Sequence, residues 1–307
     1  MRDKIFIFIL LILSSCIEST EVKVQRFLIK GNEALQKQDI QQAQYYFSEA
    51  VKLDSCFADA LNNLGTLFYN QQRYSKALDY YNQTLSCKPK WQRALFNRAN
   101  TYYELKEYYN ALQDLNEVAK VNPDTFALHF TRGLVYAKVK DFRKAEQAFI
   151  LSLKKNNKSA EAKVNLASVY YYQNKLNEAD QLIEEGILID DSLANAYNTK
   201  ALILIKRNKL NEALLAVNKA LNISPKDAFA LNNRGLIYLL QQKETEALDD
   251  FNQSILLDPY NAWVYRNKGI YYLRKKDKPN ATRLFEQAKK LDDFVEGLDS
   301  LLAVAKQ

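Results

Sequence analysis

The sequence predicts an all-α protein in which eight consecutive helix pairs stack into a solenoid and a final helix covers the last pair. The main observation is a 34-residue period that runs without insertion or deletion. A small residue recurs once in each period, at Gly31, Gly65, Ala99, Gly133, Ala167, Ala201, Gly235 and Gly269. An alanine follows twelve residues after each of them, at Ala43, Ala77, Ala111, Ala145, Ala179, Ala213, Ala247 and Ala281. A fixed period of this length is typical of repeat architectures.

Each repeat is predicted to be two antiparallel helices. We number it so that the small residue is position 8; positions 4, 8 and 11 then share one face of a first helix. The alanine at position 20 lies in a second helix, and small residues at 8 and 20 let the two helices approach closely. Prolines at position 32 end the second helix. A bulky side chain at position 24 fills the space beside the pair: Phe47, Tyr81, Leu115, Phe149, Ile183, Val217, Phe251 and Phe285.

Two segments carry a family resemblance. LNNLGTLFYNQQRYSKALDYYNQTLSCKP (residues 61–89) and LNNRGLIYLLQQKETEALDDFNQSILLDP (residues 231–259) resemble the tetratricopeptide repeat. The resemblance extends over residues 24–295, although Ser55, Asn157, Asp191 and Asp293 replace the closing proline. It implies a right-handed α-solenoid of eight pairs, close to one superhelical turn, that binds other proteins and is not an enzyme.

The C-terminal end of the array is predicted to be covered. Residues 296–307 read as an amphipathic capping helix that turns Leu298, Leu301 and Leu302 inward. A terminal cap of this kind is expected because the last repeat has no neighbour to bury its apolar face.

The N-terminal end reads as an export signal. Residues 5–13 are apolar and follow a short basic start, but a membrane-spanning helix needs about 20 such residues. Leu13, Ser14, Ser15 and Cys16 resemble the lipobox of bacterial lipoproteins. The resemblance implies that residues 1–15 are removed, that Cys16 carries the lipid, and that residues 16–23 form a short tether. An ordinary secretory signal, and thus a soluble secreted protein, stays open as the alternative.

The resemblance also suggests a location. A lipid-anchored protein of the cell envelope is expected, and Ile17 is not the aspartate that retains many lipoproteins at the inner membrane. We therefore expect the outer membrane rather than the inner one.

Two cysteines remain, Cys56 and Cys87. An oxidising compartment would allow a disulfide, but pairing needs Cα atoms within about 7 Å. The sequence does not bring the two residues together, so it favours free thiols and leaves the pairing open.

The residue content argues against catalysis, metal binding and nucleic acid. His129 is the single histidine and occupies position 4, which is apolar in most repeats, so we expect it to be structural and partly buried. The chain has neither a glycine-rich phosphate loop nor cysteines at metal-ligand spacing. No cofactor is therefore expected. A net charge of +7 with only short basic runs does not indicate a nucleic-acid partner.

Positions 2, 6, 9 and 13 of the first helix lie opposite the predicted core, and we call them the inner stripe. Position 6 carries a polar ladder after Ile29: Asn63, Asn97, Thr131, Asn165, Thr199, Asn233 and Asn267. An asparagine amide both donates and accepts hydrogen bonds. The ladder is similar to the asparagine rows of other tetratricopeptide superhelices, which implies that it holds a peptide main chain in a concave groove. Nearby side chains predicted to contact the peptide are Tyr69, Tyr103, Phe96, Phe130, Trp263 and Arg266.

Two alternatives to a peptide groove stay open for the inner stripe. Contacts between neighbouring repeats could favour asparagine at position 6 without any ligand. The stripe could also form a homodimer interface or allow the superhelix to close on itself, since an exposed aromatic row usually marks a contact site.

Overall fold

The computed structural model describes residues 19–307, and all regular structure in that range is helical. The chain forms two compact units. Unit 1, residues 19–139, contains α1 (Thr20–Gln36), α2 (Ile40–Leu53), α3 (Ala58–Asn70), α4 (Tyr74–Cys87), α5 (Gln92–Glu104), α6 (Tyr108–Ala119) and α7 (Phe126–Lys138). Unit 2, residues 140–307, contains α8 (Phe142–Lys155), α9 (Ala160–Tyr172), α10 (Leu176–Ile189), α11 (Ala194–Lys206), α12 (Leu210–Ile223), α13 (Ala228–Leu240), α14 (Glu244–Leu257), α15 (Ala262–Arg274), α16 (Lys278–Leu291) and α17 (Leu298–Lys306). The predicted fold class, successive helix pairs with a final helix, is confirmed.

The turn inside each repeat has a recurring backbone conformation. After α3, the Gln72 N–H donates to the Tyr69 carbonyl at 2.8 Å and the Arg73 N–H to the Phe68 carbonyl at 2.9 Å, which is the Schellman arrangement that ends helices. Gln72 is left-handed, with φ 59°. The equivalent residues, all with φ between 58° and 63°, are Gln38, Lys106, Lys140, Asn174, Asn208, Gln242 and Lys276. One repeated turn gives the pairs one common geometry.

Four of the turns between repeats are built on an aspartate at position 31. Asp54, Asp190, Asp258 and Asp292 each accept a hydrogen bond from the backbone N–H two residues ahead, at 2.9–3.0 Å. Such a side chain satisfies the backbone of a tight turn. In these four repeats the second helix ends at position 30 whether or not a proline follows.

The close approach of the two helices depends on positions 8 and 24. A Cβ atom added to Gly31, Gly65, Gly235 or Gly269 would come within 3.0 Å of an aromatic ring. Those rings belong to position 24 of the same repeats: Phe47, Tyr81, Phe251 and Phe285. Where position 8 is alanine, position 24 is a smaller aliphatic residue, namely Leu115, Ile183 or Val217. The two positions are matched in size across the array.

The hydrophobic core runs from one pair to the next. In unit 2, for example, Ala201 and Val217 of one repeat share a buried cluster with Ala230 and Ile237 of the following repeat. Each pair thus completes the core of its neighbour, as expected for a solenoid.

Helix α17 covers the last pair. Leu298 and Ala305 are buried, and Leu301 and Leu302 pack on the cluster that contains Phe285 of α16. The helix begins at Leu298, two residues later than the predicted start of the cap at residue 296, because Gly297 adopts a left-handed conformation with φ 78°. Left-handed backbone interrupts a right-handed helix.

The two cysteines form a disulfide, which corrects the sequence-based preference for free thiols. The Cα atoms of Cys56 and Cys87 are 5.4 Å apart. Cys56 lies in the turn after the first repeat, and Cys87 is the last residue of α4 in the second repeat. Stacking of successive repeats brings these positions together, so the bond links the first two repeats covalently.

Several predictions concern the N-terminal segment. The signal peptide at residues 1–15 and the lipidated Cys16 lie outside the described residues. Helix α1 begins at Thr20, where the Ser19 side chain accepts a hydrogen bond from the Val22 N–H at 3.3 Å, so residues 20–23 of the predicted tether are helical. Among the helices of residues 19–307, none has both the length and the apolar composition required to cross a bilayer.

We expect Gly269→Ala to lower the local free energy of unfolding by about 1–2 kcal/mol, because overpacking against Phe285 outweighs the gain in helix propensity. The double variant Gly269→Ala/Phe285→Leu recreates the alanine and leucine combination of Ala99 and Leu115. Hydrogen exchange of α15 and α16 measures the effect. A favourable coupling of about 1 kcal/mol is expected for the double variant; strictly additive effects would contradict the size match.

Candidate functional site

The polar ladder at position 6 is only partly accessible. Thr131, Thr199, Asn233 and Asn267 are buried, with 2–7% of their surface exposed, whereas Asn63, Asn97 and Asn165 are half-buried. The predicted open row of seven groups is therefore not present as such. The preceding repeat covers several of these side chains, which a view of each helix in isolation does not reveal.

In unit 2 the asparagines form a hydrogen-bonded chain that we call the amide chain. The Asn233 Nδ2 donates to Asn198 Oδ1 at 2.8 Å, and the Asn267 Nδ2 donates to Asn232 Oδ1 at 2.9 Å. The Asn232 Nδ2 donates to Asn233 Oδ1 at 3.1 Å, and the Arg266 Nη1 to Asn267 Oδ1 at 2.9 Å. Both ends of the Asn233 and Asn267 amides are thus used. Their role here is to join three successive repeats.

The other two ladder residues of unit 2 are also engaged. The Asn165 Nδ2 donates to the Glu161 carbonyl of its own helix at 2.8 Å. The Thr199 hydroxyl lies 3.1 Å from the Ser168 hydroxyl of the preceding repeat. The ladder of unit 2 is therefore mainly an interface between repeats.

Unit 1 differs because its amides are half satisfied. The Asn63 Nδ2 donates to Asn32 Oδ1 at 3.2 Å, and the Asn97 Nδ2 donates to Asn62 Oδ1 at 3.1 Å. Within the described part of the chain, no hydrogen bond reaches Oδ1 of Asn63 or Asn97. The donor end of each amide holds the preceding repeat, which fixes the side chain, while the acceptor end stays open.

Two tyrosines of unit 1 accompany these open acceptors. Tyr69 packs edge-on against Tyr74, with ring centroids 5.4 Å apart, and Tyr103 packs against Tyr108 at 5.8 Å. Burial raises the pKa of Tyr69 to about 12, with a further contribution from the Glu104 carboxylate. Burial likewise raises the pKa of Tyr103 to about 12. Both phenols are neutral at physiological pH, and the Tyr69 hydroxyl already has the Glu104 carboxylate as a hydrogen-bond partner.

The predicted phenylalanines contribute mainly to packing. Phe96 is half-buried against the core cluster of α5, α6 and α7. Phe130 stacks on Phe126, with ring centroids 5.5 Å apart.

The predicted site residues near the C-terminus already have partners within the chain. The Arg266 guanidinium lies 5.8 Å from the ring centroid of the half-buried Trp263, and its Nε donates to the Glu296 carbonyl at 2.8 Å. Burial lowers the pKa of Arg266, an effect that the nearby Glu296 carboxylate opposes. Arg266 thus holds the segment that precedes α17.

His129 is buried at position 4, and its Nε2 lies 3.1 Å from Asp124 Oδ1. No group of three or more His, Cys, Asp or Glu side chains within residues 19–307 is arranged to hold a metal ion.

A second polar row was not predicted from the sequence. Arg98, at position 7, donates to both oxygens of the buried Asp114 at 2.7 and 2.8 Å and to Asn82 of the preceding repeat at 2.8 Å. Arg234 binds Asp250 in the same way, with both distances 2.7 Å. The available signal was the 16-residue spacing between arginine and aspartate in two repeats. These groups join helices and repeats rather than mark a ligand site.

Comparison with known proteins gives a family and a fold. Family models described as tetratricopeptide repeat match residues 58–90, 92–125, 159–189, 194–227 and 228–261, more than half of the chain. No curated protein sequence matches significantly. At the low identities of the similar solved structures, the likeness concerns the fold alone.

Three solved structures illustrate that likeness. A chain of the APC/C hetero-tetramer Cut9–Hcn1 is 15% identical with a TM-score of 0.67, over 96% of this chain and 58% of that one. PilF of Pseudomonas aeruginosa is 20% identical with a TM-score of 0.59, over 74% and 100%. MamA of Desulfovibrio magneticus RS-1 is 16% identical with a TM-score of 0.52, over 55% and 96%.

We expect Asn267→Ala to destabilise the protein by about 2 kcal/mol, because it leaves the buried Oδ1 of Asn232 without its donor. The matched control is Asn165→Ala, whose amide bonds only to its own helix. Since alanine is the better helix former, the control should change stability by less than about 0.5 kcal/mol. Urea unfolding followed by circular dichroism measures both variants. Equal losses would show that the amide chain has no special role.

Proposed function

Because the chain belongs to the tetratricopeptide repeat family, we propose that it is a non-catalytic scaffold that holds an extended segment of a partner protein on the inner stripe of unit 1. The family and the helix-pair fold are those of protein–protein interaction scaffolds. The proposal adds the kind of ligand, the unit that binds it and attachment to a membrane through Cys16.

The observation that carries this proposal is the pair of open acceptors on Asn63 and Asn97. They lie on successive first helices, and packed helices have axes about 8–10 Å apart. A segment in the extended polyproline II conformation rises about 3.1 Å per residue with three residues per turn, so its main-chain N–H groups three residues apart lie on one side and match that interval. Because the Nδ2 end of each amide is held by the preceding repeat, the acceptors are preorganised. Binding through the main chain would tolerate many partner sequences.

The neighbouring side chains suggest what else the partner contacts. Tyr69 and Tyr103 offer ring surface together with a neutral hydroxyl, a combination that suits binding surfaces. The charged residues on the inner stripe of unit 1 balance, with Asp59 and Glu104 against Arg93 and Lys138. We infer that hydrogen bonds and aromatic contacts, rather than net charge, select the segment held by unit 1.

Attachment to a membrane is the second part of the proposal. The lipobox-like residues that end at Cys16 support a lipid anchor, and several acyl chains on one residue anchor stably. The disulfide between Cys56 and Cys87 agrees with an oxidising compartment outside the cytoplasm. We propose the cell envelope as the location, with the outer membrane preferred, and assistance in assembling an envelope complex as the role. Self-association of the same stripe is the competing prediction.

A photo-reactive amino acid in place of Tyr103 is expected to crosslink to an extended segment of a partner protein in the native cell. The matched control is Tyr109 of the same repeat, which is 80% exposed on α6. Asn97→Leu should weaken binding of the captured segment about fivefold, because one hydrogen bond of about 1 kcal/mol is lost. Equal capture from Tyr109 would refute the proposed surface. Adducts only between two copies of the chain would favour the homodimer instead.

Replacement of Cys16 is expected to release the protein from membranes. Cys16→Ala removes the sulfur to which the proposed thioether-linked lipid would attach, whereas Cys56→Ala/Cys87→Ala should leave the protein in the membrane fraction. Fractionation and the electrophoretic shift caused by the lipid measure both variants. Membrane retention of Cys16→Ala with unchanged mobility would exclude the anchor.

A further inference from the structure

Residues 292–297, which connect α16 to α17 and which we call the closing segment, contact three distant basic residues of unit 2. Lys140 Nζ lies 2.6 Å from both carboxylate oxygens of Asp292, 152 residues along the chain. Lys206 Nζ lies 3.2 Å from a Glu296 oxygen, and Lys140 also lies 5.0 Å from the ring centroid of Phe294. Together with the Arg266 contact to the Glu296 carbonyl, the closing segment is contacted by three basic side chains.

The contacts exceed what the turn itself requires. Asp258 occupies the equivalent position one repeat earlier and accepts the Tyr260 N–H at 3.0 Å, as Asp292 accepts the Phe294 N–H at 3.0 Å. No ion pair to Asp258 occurs within the described residues. The Lys140 contact of Asp292 is therefore additional to the common turn.

The inner stripe of unit 2 has the complementary charge. At positions 2, 6, 9 and 13 of residues 160–274 the basic residues are Lys206 and Arg274, and the acidic residue is Glu161. Lys140 and Arg266 add positive charge beside the stripe. The carboxylates of Asp292 and Glu296 are thus the groups that neutralise this surface from the closing segment.

The ion pairs can exchange partners without loss of the cap. The side chains of Asp292 and Lys140 are 27% and 39% exposed, and those of Glu296 and Lys206 are 68% and 39% exposed. Pairs this exposed are weak and readily screened by salt. Val295 of the closing segment and Leu298 of α17 are each 3% exposed, so the backbone stays in place and only the exposed carboxylates need to exchange partners. A second acidic segment can therefore take the lysines while α17 stays in place.

We propose that the inner stripe of unit 2 binds an acidic extended segment of a partner, with an aromatic residue between two carboxylates, and that the closing segment is its built-in competitor. The inference rests on the proposed scaffold function but concerns other residues than the site in unit 1. In unit 1 the open Oδ1 atoms of Asn63 and Asn97 accept hydrogen bonds from a partner's main chain. In unit 2 the amides of Asn233 and Asn267 already have all their partners within the chain, and the lysines bind side-chain carboxylates of the partner.

The test uses the full-length chain in detergent and a fluorescent peptide of residues 291–297, LDDFVEG. The variant Asp292→Asn/Glu296→Gln keeps the turn acceptor but removes the two charges that contact Lys140 and Lys206; Asp293, which pairs with Lys289, is unchanged. Because an intramolecular competitor acts at an effective concentration on the order of 1 mM, the wild-type chain should bind the peptide weakly. The variant should bind it at least fivefold more tightly, measured by fluorescence anisotropy.

Three controls define the result. Asp258→Asn changes the equivalent turn without touching an ion pair and should bind like wild type. The neutral peptide LNNFVQG should bind the wild type and the variant with equal affinity. Lys140→Met/Lys206→Met added to the variant should abolish its gain in affinity for LDDFVEG. Should the double variant fold poorly by circular dichroism, Glu296→Gln alone, at a largely exposed site, should still give a smaller gain.

Equal affinity for wild type and variant would overturn the proposal, as would the absence of binding by every form. Loss of thermal stability without any gain in peptide binding would make the closing segment a structural cap only. Because the test involves neither Asn97 nor Tyr103, its failure would leave the site proposed in unit 1 unaffected.

Discussion

The size match between positions 8 and 24 sets the distance between the two helices of a repeat, and the rest of each unit depends on that distance. Gly65 leaves room for the Tyr81 ring, and Gly269 leaves room for Phe285. With the pair fixed in this way, its outer surfaces are placed for the next pair, so that a shared core and a repeated set of polar contacts can form. Each interface between repeats inherits its geometry from the interior of a repeat.

Most of the fold was predictable because its causes recur in the sequence. The period, the small residues and the proline phase are each repeated several times, so one uncertain residue does not change the interpretation. The left-handed turns were not predictable, since Gln72 and its equivalents are glutamine, lysine or asparagine rather than glycine. The late start of α17 depends on Gly297 alone, a single residue without a repeated counterpart to support a prediction.

The candidate site was predicted less well because it depends on contacts between repeats. A helical wheel places position 6 opposite the core, but the preceding repeat covers it, and Asn267 is buried as a result. The disulfide has the same origin, since residues 31 apart meet where one repeat follows another. The saturated amides of unit 2 depend on position 5, where Asn232 and Arg266 each donate to the ladder residue that follows. Phe96 occupies that position before Asn97 and has no side-chain donor, whereas Asn62 before Asn63 has a donor that does not bond to Asn63, so position 5 explains the open acceptor of Asn97 alone.

The amide chain also determines which repeat can be deleted during evolution without leaving a buried amide unpaired. Recombination between repeats can delete one without disturbing the 34-residue period. Loss of the seventh repeat would place Asn267 over Asn198, which offers the acceptor that Asn232 provides now. Loss of the sixth would place Asn233 over Val164, which has no polar side chain, and a buried amide without a partner is costly. Deletion of the seventh repeat therefore preserves the amide chain, whereas deletion of the sixth repeat breaks it.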